Sequence, residues 1–105
     1  MYILFDQGTP APLRLAFVGH TVETAYERGW STMTNGDLLA AAEATPFDVF
    51  ITTDQQLAHQ QHVTGRRLAI VVLPTTRWPE IERQVALIVA TVASMRPGQY
   101  LELHW

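Results

Sequence analysis

The chain has 105 residues, the size of one ordinary domain, and 48% of them are hydrophobic, enough to bury a core and too many for a disordered chain. Net charge is −3 and all seven Lys+Arg positions are arginine, which excludes a global basic field for nucleic acid, a phosphate-loop lysine and Schiff-base chemistry. There is no cysteine, so disulfides, thiolate metal sites and thiol catalysis are excluded too.

No apolar run approaches the ~20 residues of a membrane helix, so no membrane partner is expected. The start, MYILFDQG, carries neither a basic segment nor a small-residue cleavage site. It does not read as a signal peptide, and a cytoplasmic location is expected.

In chain order, YILF (Tyr2 to Phe5) reads as a short strand stopped by Asp6 and Gly8. Leu13, Ala16 and Phe17 then have helical spacing, with Gly19 as the stop. A weaker strand is expected around Thr21 to Ala25. NGDLLAAAEAT is the best helix signal: Asn35 can cap it, Asp37 lies in its first turn, and Pro46 ends it. DVFITT reads as a buried strand, QQLAHQQHV as a short polar helix, and RLAIVVL (Arg67 to Leu73) as the strongest strand. From Pro79 to Met95 one long helix is predicted, because Ile81, Val85, Ile88, Val89 and Val92 form a single stripe. QYLELHW closes the chain as a strand in which Tyr100, Glu102 and His104 alternate with Leu101 and Leu103.

Strands thus alternate with helices, and the strands are apolar on consecutive positions, so both of their faces must be covered. Residues 1–105 therefore read as a single α/β domain with a mostly parallel sheet of about five strands between helical layers.

In such sheets ligands bind beyond the carboxyl ends of the strands. Asp6 and Asp54 stand at such ends, and Asp37 opens a helix that faces the same rim if the crossovers are right-handed. Three carboxylates on one rim repel unless a cation lies among them, and oxygen-only ligands suit Mg²⁺ or Mn²⁺. The competing reading makes Asp6 and Asp54 turn or cap residues. Glu43, further along the Asp37 helix, reads as a solvated or helix-pairing acid.

Three blocks, ILFDQGTPAPLRLAFVGHTV, ERGWSTMTNGDLLAAAEA and FDVFITTDQQL, resemble the small bacterial PIN-like domains related to VapC-type toxins. The resemblance runs on through RLAIVVLP and the last helix. It implies a three-layer α/β/α fold and a metal-dependent ribonuclease, the toxin of a toxin–antitoxin pair. Asp6, Asp37 and Asp54 would be the catalytic and metal-binding residues, holding Mg²⁺ or Mn²⁺. It further implies an RNA substrate, a cognate antitoxin protein as partner, and a homodimer. The chain departs from the family's pattern with Gln7-Gly8 after Asp6 and Gln55-Gln56 after Asp54, giving three acids rather than four. That departure supports an alternative, a catalytically weakened PIN-like protein that binds protein or RNA.

Arg77 and Thr53 are the candidate substrate-binding residues: Arg77, beside Trp78, for a phosphate with a stacked base, and Thr53 for metal waters or phosphate. Against this, Trp78 can simply seal the start of a helix. His59 and His62 share a helical face but lack a third soft ligand, so surface positions are expected. Trp30 reads as core or as part of a partner surface. A phosphoacceptor receiver domain also ends a strand on aspartate, but that chemistry uses a lysine, and the chain has none.

Overall fold

A computed structural model describes all 105 residues. Five strands form one parallel sheet: β1 (Tyr2–Phe5), β2 (Thr21–Thr24), β3 (Val49–Thr52), β4 (Ala69–Val72) and β5 (Tyr100–Glu102), in the order β2-β1-β3-β4-β5. Every neighbouring pair is parallel, with Phe5 beside Thr24 on one side and Ile51 on the other. A 3-10 helix (Ala11–Ala16) and four α-helices connect them: α1 (Asn35–Ala44), α2 (Leu57–Gln60), α3 (Trp78–Arg83) and α4 (Val85–Ser94). No helix is long and apolar enough to cross a membrane.

The consecutive apolar residues are explained by two cores, one on each face. Ile3, Phe5, Val49, Ile51, Ala69 and Val71 point to the face covered by the 3-10 helix, α3 and α4. Leu4, Phe50, Ile70 and Val72 point to the face covered by α1 and α2, where they meet Leu38, Leu39, Ala42 and Leu57. Side chains alternate along a strand, so a strand buried on both faces must be apolar throughout. The expected three-layer α/β/α arrangement is the one observed.

The crossovers do not share one hand. The chain reaches β3 through α1, and β4 through α2, moving one way across the sheet over one face. It moves on in the same direction to β5, but α3 and α4 lie over the opposite face, so this last connection has the opposite hand. That departs from a preference followed by about 98% of such connections. Burial explains it: without α3 and α4, a six-residue 3-10 helix would be the only helix on that face.

Three local expectations are corrected. The long helix from Pro79 to Met95 is two helices, broken at Gln84 (φ −111°, ψ 14°), although no Gly or Pro marks the break. Its stripe survives, because Ile81, Ile88 and Val92 enter the same core on either side of the break. The cap of α1 is Thr34, not Asn35: the Thr34 hydroxyl accepts the Asp37 N–H at 3.2 Å, and Asn35 is already helical. The segment read as a helix before β2 is a 3-10 helix, begun by the pair Pro10 and Pro12 around Ala11.

Candidate functional site

The sheet order places the reversal of chain direction between β1 and β3, since β2 lies to one side of β1 and β3 to the other. Ligands of open parallel sheets sit at such a crevice, beyond the carboxyl ends. Asp6 directly follows β1 and Asp54 follows β3 by one residue, so these two acids flank the crevice.

Both carboxylates are held from the backbone outward. Asp6 Oδ1 accepts the Thr9 N–H at 2.9 Å and lies 2.6 Å from the Thr9 hydroxyl. That hydroxyl is also 3.0 Å from the Ile51 carbonyl, so its single proton is shared between them. Asp6 Oδ2 accepts the Thr52 hydroxyl at 2.5 Å, and the same Thr52 oxygen accepts the Asp54 N–H at 3.0 Å. Thr52 is almost fully buried and thus joins the two acids. Asp54 Oδ1 accepts the Gln56 N–H at 2.9 Å, a local turn, and Oδ2 accepts the Asn35 amide at 2.6 Å. Hydrogen bonds to charged acceptors contribute about 1.5–3 kcal/mol each, so both side chains are fixed before any ligand arrives.

Asp37 does not join them. It is exposed, and no group of three or more acidic or imidazole side chains converges so as to hold a metal ion. The helix residue that reaches the site is Asn35. The reason is helical phase. Asn35, Leu38, Leu39 and Ala42 stand at i, i+3, i+4 and i+7, and the last three are buried against the sheet, so Asn35 lies on the inward face and Asp37 does not. That spacing was available in the sequence. With Thr34 as the cap, the Asn35 side chain is released from capping and free to meet Asp54.

A cavity of about 120 Å³ opens beside Asp6, lined also by Gln7, Gly8, Trp30, Met33 and Asn35. Gly8 is required by close approach: a Cβ there would lie 2.3 Å from Thr53 Oγ1. Gly8→Ala should therefore cost about 1–3 kcal/mol in chemical denaturation, because the Thr53 hydroxyl must leave its rotamer. Adding Thr53→Ala should recover most of that loss, and a strictly additive double variant would show the clash to be absent.

The remaining predicted residues take other places. Thr53 borders the site through this contact with the Gly8 position. Arg77 is exposed, pairs with no carboxylate and does not line the cavity. Trp78 packs against the core on the α3–α4 face, so it seals the helix start. Gln55 spends its amide on the Leu73 and Thr53 carbonyls, at 2.5 and 3.1 Å. Glu43 accepts the N–H groups of Arg67 and Leu68 at 2.9 and 2.7 Å, at the start of β4 and away from the acid pair. His59 and His62 are exposed, as expected.

Trp30, which reads from the sequence as core or partner surface, lines the cavity beside Asp6. It packs edge-on against Phe47, and the Arg28 guanidinium lies 4.7 Å over its ring. Arg28 is positioned by Glu23 at 3.2 Å, and Glu23 accepts the Tyr2 hydroxyl at 2.5 Å. The Glu23 hydrogen bond, and after it burial, holds the Tyr2 hydroxyl above its ordinary pKa, so the link stays protonated.

Two carboxylates fit a single divalent ion that keeps most of its waters, as Mg²⁺ commonly does. They do not fit the three-acid ligand set expected from the sequence. Comparison with protein-family models, curated proteins and solved structures finds no match.

Proposed function

We propose that this chain is a divalent-cation-dependent phosphodiester hydrolase acting on RNA, and, on the family resemblance, a toxin countered by a protein antitoxin. The observation that supports this reading is the placement of Asp6 and Asp54 on either side of the crevice between β1 and β3, joined through Thr52. Asp6 and Asp54 would hold the ion. When bound, Mg²⁺ or Mn²⁺ supplies Lewis-acid polarisation of the phosphate and a more acidic water. The chain's own part is positional. Thr9 and Thr52 orient the Asp6 carboxylate, while Asn35 and the Gln56 N–H orient that of Asp54. The carboxylates in turn accept hydrogen bonds from water between them and the scissile phosphate. RNA cleavage that requires added Mn²⁺ or Mg²⁺ and stops on chelation tests the reading; a purified, folded chain that leaves RNA intact with either ion would refute it.

One observation favours a second reading. An amide occupies the inward position of α1 where a third carboxylate would strengthen cation binding. On that reading the crevice binds RNA or a partner protein without cleaving it.

A further inference from the structure

We propose that the cavity at the amino ends of β3 and β4 binds a free α-amino acid with an apolar side chain of the size of leucine or methionine. The cavity holds about 170 Å³ and lies at the opposite end of the sheet from Asp6 and Asp54, so the proposal stands apart from the hydrolase reading. Its floor is apolar and buried: Val49 opens β3, Ala69 opens β4 beside it, and Met95 follows α4. Ala69 is the smallest side chain that the strands turn to this face, which leaves the space open. A cavity of this order accepts an apolar group of about six carbons.

Opposite charges share the mouth. Asp48 and Arg96 both line the cavity, yet they form no ion pair with each other or with any other side chain. Asp48 Oδ2 accepts the Tyr2 N–H at 2.7 Å, which fixes the carboxylate and leaves Oδ1 free. Arg67 lines the cavity too, but its Nη2 donates to the Glu43 carbonyl at 3.3 Å, so Arg96 is the free cation. A carboxylate and a guanidinium held apart above an apolar floor are complementary to a zwitterion. Asp48 accepts from the ammonium, Arg96 donates to the carboxylate, and the side chain enters the floor. A simple anion would meet the Asp48 charge, and a simple amine that of Arg96. The wall that carries Arg96 is preformed. The Gln99 N–H returns to the Arg96 carbonyl at 3.1 Å, closing a turn over Pro97 and Gly98, and the Gly98 N–H donates to the Arg67 carbonyl at 2.8 Å. Gly98 has φ 79°, and a Cβ there would lie 2.5 Å from the Arg66 carbonyl oxygen, so the turn requires glycine. A wall already ordered loses little freedom when a ligand binds.

The experiment titrates L-leucine into the full chain and follows its amide and methyl resonances by NMR. Shifts should concentrate at Val49, Ala69 and Met95 and spare Thr52 and Asp54, with a Kd of about 1 mM or tighter. Three probes each lack one part of the ligand: glycine the side chain, isocaproate the ammonium, and isoamylamine the carboxylate. Each should bind at least about 10-fold more weakly than leucine. Asp48→Asn and Arg96→Gln change exposed residues, and the new Asn oxygen still accepts the Tyr2 N–H, so both variants should fold. Each should weaken leucine binding about 10-fold or more. Resonances of Val49, Ala69 and Met95 that stay in place at about 10 mM leucine would overturn the proposal. So would any of the three probes binding as well as leucine, or full leucine affinity in either variant.

Discussion

Asp54→Asn is expected to lower Mn²⁺- or Mg²⁺-dependent RNA cleavage by at least about 100-fold, and Asp6→Asn by at least as much. The size follows from how few charges the crevice has. No third acid converges there, so removing either carboxylate halves the anionic donor set. The fold should survive both changes. In Asp54→Asn the new amide meets the Asn35 amide, and rotating one of them by half a turn restores a donor to an acceptor. The Gln56 N–H keeps an oxygen acceptor at position 54. In Asp6→Asn the Thr52 hydroxyl, with two lone pairs, can accept from the new NH₂ and still accept the Asp54 N–H, giving up only its own donated bond to Oδ2. Circular dichroism and melting temperature then separate lost chemistry from lost structure. Asp37→Asn is the control: an exposed residue outside the cavity should leave cleavage as it was. Full cleavage in both site variants would refute the assignment of the ion to Asp6 and Asp54.

The second large effect is a gain. Asn35→Asp should tighten Mn²⁺ binding by about 10-fold or more, measured by calorimetry, because it adds a third carboxylate at the one helix position that reaches Asp54. The same change should weaken the cation-free protein. It removes a hydrogen bond to a charged acceptor, about 1.5–3 kcal/mol, and sets two like charges together. Melting temperature should therefore fall in chelator and recover with added Mn²⁺, since an ion that binds only the folded state stabilises it. Equal Mn²⁺ affinity in Asn35→Asp and the unsubstituted chain would mean that the Asn35 side chain does not face the cation position.

These two expectations differ in how readable they were. Asp6 and Asp54 stand out in the sequence because an apolar strand ends abruptly on each, and strand ends in parallel sheets are where ligands bind. Asn35 does not stand out, because an asparagine before a helix reads first as a cap. Thr34 takes the cap instead, which leaves Asn35 inside the helix on the inward face that Leu38, Leu39 and Ala42 define. Asp37, one position before buried Leu38, is turned away, since successive residues on a helix are about 100° apart.

By itself the sequence determined the layered α/β architecture, its strands and the two acids that end β1 and β3. Periodicity and burial are local properties that each segment carries alone. Only the tertiary structure decided the order β2-β1-β3-β4-β5, the reversed hand of the last crossover and the break at Gln84. It alone also brought Trp30 rather than Trp78 to the cavity beside Asp6. Each of these depends on which surface most needs covering once all the elements are together, and that demand belongs to the assembled sheet rather than to any one segment.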